Sequence, residues 1–175
     1  TYGKGTSELH VMQRAANAMT KQLAAAWGQR QSDIQIKTID EALILASIVE
    51  KETGRESDRT TISRVFHNRL AIGMPLQTDP TVIYGMFDNF DGNLRRADLR
   101  TDHPWNTYTR KGLPPTPIAM PGRNALKAAV QPAPSNALYF VAKGDGTSYF
   151  SATLDEHNAA VNRYQRKASS AGTGQ

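Results

Sequence analysis

Ala42-Leu43-Ile44-Leu45-Ala46-Ser47-Ile48-Val49-Glu50-Lys51-Glu52-Thr53-Gly54 is a run of aliphatic side chains that ends in two carboxylates. Thr38 followed by Glu41 gives it the Thr-x-x-Glu pattern of a capping box, in which each side chain satisfies a backbone N–H left free at a helix start. Gly54 offers a stop, because a residue without Cβ enters the left-handed region at no steric cost. At about 100° per residue, apolar positions from Ala42 to Val49 surround the helix axis and leave Ser47 and Lys51 as the polar strip. Such a helix belongs inside the domain, and the other elements are expected to pack around it.

Glu50 follows Leu43 and Ala46 at helical spacing, whereas Glu52 follows Leu45 and Ile48, so the two carboxylates leave the helix on nearly opposite sides. At least one is therefore carried toward protein interior. A buried carboxylate needs a cation or a donor; otherwise its pKa rises and it keeps a proton. A proton held near neutral pH is what a general acid requires. The competing reading has the helix fray into water, with Glu50 and Glu52 solvated beside Lys51 and Arg55. Spacing alone leaves both open.

With 175 residues, 39% of them hydrophobic and 21% charged, the chain has the composition of one ordinary globular domain, expected over residues 1–167. Residues 168–175 are small and polar and read as a disordered tail. No apolar run approaches the roughly 18 residues that span a bilayer. Thr1 in place of an initiating Met suggests a piece excised from a longer protein. The absence of cysteine removes disulfides, thiol nucleophiles and thiolate metal sites. The net charge of +5 is scattered, with Arg95-Arg96 and Arg110-Lys111 as the longest basic runs, and does not read as a nucleic-acid surface.

Before the central helix, Leu9, Met12, Ala16, Met19, Leu23 and Trp27 recur at steps of three and four, a stripe for packing on the core or on a neighbouring domain, with Thr6 or Ser7 as cap. After it, Ser57 or Asp58 is expected to cap a helix whose face is Ile62, Val65, Phe66 and Leu70, stopped by Gly73. From 74 to 121 periodicity fades and Pro, Gly, Asp, Asn and Thr prevail, with one short helix over 81–86. So long an irregular stretch suggests the lining of a site. A helix over 123–130, a strand over 138–142, a Gly144-Asp145-Gly146 turn, a second strand over 148–151 and a capping box at Thr153/Glu156 opening a helix through Tyr164 complete the chain. The fold class is thus α+β: a helical cluster around a buried Glu-bearing helix, a small antiparallel hairpin and a long loop-rich segment lining a groove.

His10, His67, His103 and His157 lie far apart, so a metal site is not expected, and neither a Gly-rich phosphate loop nor a Gly-x-Ser-x-Gly elbow is present. What remains is acid catalysis by a carboxylate beside a loop rich in amides, hydroxyls and aromatics. Sugar rings present polar edges around apolar faces and suit that mixture. Gln77-Thr78-Asp79 and Asn106-Thr107-Tyr108 fit such a cleft; the simpler account of both is turn chemistry.

The segments 45–53 (LASIVEKET), 65–70 (VFHNRL), 73–85 (GMPLQTDPTVIYG), Tyr108-Thr109, 112–115 (GLPP), Pro117-Ile118 and 139–141 (YFV) occur in the order found in the YceG-like family, the endolytic murein transglycosylases, which the chain closely resembles as far as Tyr164. His67 departs from the pattern, standing where a more apolar residue is common. The resemblance implies Glu50 as catalytic residue, Glu52 as the alternative, and Gln77, Asp79, Tyr84, Asn106 and Tyr108 as substrate-binding residues. It further implies cleavage between N-acetylmuramic acid and N-acetylglucosamine with a 1,6-anhydromuramyl end, no cofactor, and glycan strands of peptidoglycan as the partner, with cell-wall synthesis proteins as further ones. Family members sit on the periplasmic face of the inner membrane, held by an anchor absent from this piece. Two other readings are a non-catalytic glycan-binding or assembly module and, from a name attached to some members, a pyridoxal-phosphate lyase, for which no lysine stands in a recognisable context.

Overall fold

The computed structural model describes residues 3, 5 and 7–166. The expected tail at 168–175 lies outside the described residues. Among the described residues six α-helices and one hairpin follow in the order α1 (Glu8–Gly28), α2 (Ile39–Glu52), α3 (Glu56–Ala71), α4 (Asp79–Met86), α5 (Arg123–Val130), β1 (Tyr139–Ala142), β2 (Ser148–Ser151) and α6 (Leu154–Val161). The fold is α+β. Among the described residues no helix is long and apolar enough to cross a membrane.

Helix α2 is the centre. Leu45, Ala46, Ile48 and Val49 have no exposed surface, and α1, α3, α4 and α5 all pack against the helix. Helix α5 comes closest because its inner face is Ala125, Ala128 and Ala129, all buried. The capping box forms: Thr38 Oγ1 accepts from the Glu41 N–H at 3.1 Å, and the Glu41 carboxylate accepts from the Thr38 N–H at 3.2 Å. Ser47 is fully buried yet satisfied, donating to the Ile44 carbonyl at 2.7 Å and accepting from the Ile118 N–H at 2.9 Å. That second bond ties the long loop to the core.

Local signals were overridden at several points. Gly54 does not adopt a positive φ; Thr53 instead leaves the helix in extended geometry, and its Oγ1 accepts from the Arg55 N–H at 3.0 Å. Helix α3 begins at Glu56 without a side-chain cap. Asp58 is drawn into a distant contact, its carboxylate accepting from the Ser148 N–H at 2.7 Å and so joining α3 to β2. Ser7 caps α1 as expected, but only Leu23 of the apolar stripe is buried, while Leu9 and Met12 stand exposed beyond the body. Gly73, with φ +65°, does close α3. Helix α6 spans Leu154–Val161 and continues directly as a π-helix over Asn162–Arg166, so the chain is helical through Tyr164 as expected, with a change of hydrogen-bond pattern at Asn162.

The hairpin pairs Tyr139 with Ser151 through Ala142 with Ser148. It packs on α6 and on α3, where the ring of Phe66 meets that of Phe140 edge-on at 6.2 Å. His67 is buried and fully used: Nδ1 accepts from the Gln35 N–H at 3.0 Å and Nε2 donates to the Ala129 carbonyl at 2.8 Å. Burial holds its pKa below the ordinary 6.5. A depressed imidazole leaves the unfolded chain binding more protons, so stability is present above 6.5 and drains as pH falls through the folded value. Thermal scans should show the melting temperature falling in that window, and His67→Gln should flatten the fall.

Candidate active site

The two carboxylates at the end of α2 do diverge, and they enter different surroundings. Glu50 is half-buried and accepts from the Gly122 N–H, at the start of α5, through Oε2 at 2.9 Å. Glu52, on the other side, accepts from Thr78 Oγ1 at 2.8 Å and faces Arg69 and Asp79. Burial raises its pKa above the ordinary 4.5, and the Asp79 carboxylate pushes the same way; the Thr78 hydroxyl and the Arg69 guanidinium oppose them.

Glu52 opens onto a cavity of about 330 Å3. It is lined by Gln77, Asp79 and Tyr108 together with Tyr139, Phe140 and His157. Arg69 also lines it, donating from Nε to the Leu138 carbonyl at 2.7 Å and from Nη1 to the Leu76 carbonyl at 2.6 Å. It thereby ties the backbone just before β1 to the segment leading into α4. Tyr139 is held between the Arg69 guanidinium, 5.5 Å from its ring centre, and the stacked His157 ring at 5.2 Å. Burial keeps the His157 pKa low, with Arg69 adding to the effect.

Gln77 sits at φ +50°, a left-handed conformation that costs a non-glycine residue roughly 1–2 kcal/mol. Its surroundings enforce it: the Gln77 N–H donates to the Thr107 carbonyl at 3.0 Å and the Thr78 N–H to Thr107 Oγ1 at 3.1 Å. Strain held in this way presents the exposed Gln77 amide at the cavity. The Tyr108 hydroxyl donates to Asp79, and burial together with that carboxylate raises its pKa well above the ordinary phenol value.

Of the seven residues expected from sequence, Glu52, Gln77, Asp79 and Tyr108 are thus brought together, and Glu50 lies at a separate cavity. Asn106 is fully buried. Its Nδ2 donates to the Thr101 carbonyl at 2.8 Å and the Leu99 carbonyl at 3.2 Å, while its Oδ1 accepts from the Tyr108 N–H at 2.8 Å. The amide is consumed in shaping the loop that carries Tyr108. Asn106→Ala should cost about 2 kcal/mol in chemical denaturation, by stranding buried polar groups, and should lower activity by releasing Tyr108. Tyr84 also stands apart, in an aromatic cluster with Phe87 and Trp105 at centroid distances of 5.8 and 5.7 Å.

Sequence reasoning missed Arg69, Tyr139 and His157. For Arg69 a signal existed: it follows Val65 by four and Phe66 by three residues, which places a cation on the core-facing side of α3. Nothing local marked the other two.

This arrangement sits in a chain whose relatives are well defined. The model of the YceG-like family matches residues 1–163. The endolytic murein transglycosylase of Bacillus subtilis is 44% identical over 127 residues, which cover 73% of this chain and 35% of that protein. The endolytic murein transglycosylase of Streptococcus pneumoniae is 35% identical over 130 residues, covering 71% of this chain and 23% of that protein. A crystal structure of a yceG-like protein from Listeria monocytogenes superposes with a TM-score of 0.76 at 37% identity, covering 91% of this chain and 51% of that one. The chain therefore spans about half or less of the length of these relatives. A family match over nearly the whole sequence, joined by likeness in both sequence and backbone, places the chain in the YceG-like family.

Proposed function

We propose that this chain cleaves glycan strands of murein by lytic transglycosylation, with Glu52 as the group that first gives and then takes the proton. The observation that carries the reading is Glu52 itself: a carboxyl whose pKa burial raises above the ordinary 4.5, opening onto a cavity lined by an amide, a phenol and a second carboxylate. The names of the relatives from Bacillus subtilis and Streptococcus pneumoniae support the substrate and the reaction class.

In the first step the Glu52 O–H donates to the glycosidic oxygen as the bond from that oxygen to the muramyl C1 breaks, leaving an oxocarbenium-like ring. In the second, the muramyl 6-hydroxyl attacks C1 from within the same sugar, and the Glu52 carboxylate removes its proton. No water is consumed, and the glutamate ends as it began. An internal nucleophile also dispenses with the second carboxylate that a hydrolase needs to activate water. Arg69 stabilises Glu52 in its charged interval, so the same group serves as acid and as base. Asp79, held by Tyr108, offers negative charge to the ring as it becomes cationic. Gln77 binds an acetamido group, and Tyr108 and Tyr139 contact the apolar sugar faces.

The expected preference for Glu50 gives way here because Gln77, Asp79 and Tyr108 all gather on the Glu52 side. Murein lies outside the cytoplasmic membrane, so this reading places the domain on the periplasmic side. Digestion of sacculi followed by mass spectrometry tests it: transglycosylation yields muramyl ends lighter by one water than those of a hydrolase, and a binding module yields no new ends.

A further inference from the structure

If Glu52 carries the chemistry, Glu50 and the larger cavity beside it are left without a role. That cavity, about 620 Å3, lies between α1 and the segment entering α5. Its charged groups are Glu50, Arg59 and Arg123, with Gln22 and Asn124 beside them and Met19 supplying apolar wall. Among the described residues neither arginine forms an ion pair. Arg59 Nε is buried with no hydrogen-bond partner, and Arg59 Nη2 reaches the Thr53 carbonyl only at 3.5 Å. Glu50 is engaged through Oε2 alone, by the Gly122 N–H.

Two guanidinium groups and a carboxylate set around one hollow, none of them neutralised by another, match a ligand that carries both signs of charge. Carboxylates would take the planar forks of Arg59 and Arg123, and an ammonium would take the free side of Glu50. Uncharged sugar rings do not call for this set. We propose that the cavity is a binding site for the peptide stem attached to the glycan strand, a chain of small and aliphatic residues bearing free carboxylates and an amino group. The proposal rests on murein being the substrate. Glu50 and Glu52 are two residues apart on one helix, roughly 3 Å along its axis, and the exposed Lys51 lies between them. A strand seated at Glu52 can therefore pass its peptide around the end of α2.

The test measures binding of a synthetic stem peptide by titration calorimetry, and cleavage of two substrates: glycan strands with stems and strands stripped of them by an amidase. The variants are Arg123→Gln and Arg123→Lys; Arg123 is exposed, so folding is not at issue. Arg123→Gln should weaken the peptide about tenfold and raise KM on stem-bearing strands by a similar factor, with kcat and the KM on stripped strands following wild type. Arg123→Lys should recover part of the loss. No binding of the peptide by the wild-type chain, or an equal change on both substrates, overturns the site. Because calorimetry reads the peptide without any cleavage, peptide binding by an inactive chain upholds the site while sinking the proposed reaction, and cleavage indifferent to stems does the reverse.

Discussion

Glu52→Gln is expected to lower the rate of murein cleavage by about three orders of magnitude, the usual loss when an essential proton donor is removed. The fold should survive, because the carboxamide has the same shape and its oxygen still accepts from Thr78 Oγ1. Glu50→Gln should act on KM rather than on kcat, since that side chain faces the other cavity. The same substitution makes a second, independent statement about stability. A carboxyl whose folded pKa is raised above 4.5 leaves the native state holding a proton that the unfolded chain has released. Its favourable contribution is complete below 4.5 and disappears as pH rises through the folded value, beyond which a buried charge remains. Glu52→Gln removes that charge. Its melting temperature should therefore exceed that of wild type at neutral pH, with the gap closing as pH is lowered toward 4.5. In the wild type, kcat/KM should fall on the alkaline side as Glu52 loses the proton it must donate.

Phe66→Ala is expected to be the most damaging single truncation in the core, costing about 3–5 kcal/mol in urea unfolding. Phe66 has no exposed surface, and its ring meets Phe140 at 6.2 Å, so truncation opens a void between α3 and the hairpin. The loss reaches the site as well, because Phe140 lines the Glu52 cavity. Phe66→Leu, which keeps most of the volume, should restore much of the stability. It should still leave activity below wild type, because the edge-on ring contact that holds Phe140 is gone.

The elements legible in the sequence were those decided locally. Thr38 with Glu41 and Thr153 with Glu156 announced two helix starts because a capping box needs only four consecutive residues. The Gly144-Asp145-Gly146 turn announced the hairpin for a similar reason, and both flanking glycines do take positive φ. What the sequence could not convey was the effect of groups far along the chain. Spacing sent Glu50 and Glu52 to opposite sides of α2. Which of them meets a polar cavity depends on Thr78 and Arg69, which reach Glu52 only after α3 and the following loop have folded back. Asp58 illustrates the same limit, its capping chemistry diverted to Ser148, ninety residues away. Asn106 shows that residue type alone misleads: an amide in a sugar-like loop is as well suited to bonding the loop's own carbonyls, and here it does so.

The account turns on burial at the end of α2 making Glu52 hold its proton more tightly than an ordinary carboxyl does. Carbon-13 NMR titration of the glutamate side-chain carboxyls reads that proton directly, with the Glu52 signal assigned by its absence in Glu52→Gln. A midpoint clearly above 4.5 is the predicted result. A midpoint at or below that value would mean a carboxylate already ionised when the glycosidic oxygen needs a proton, and would contradict the mechanism.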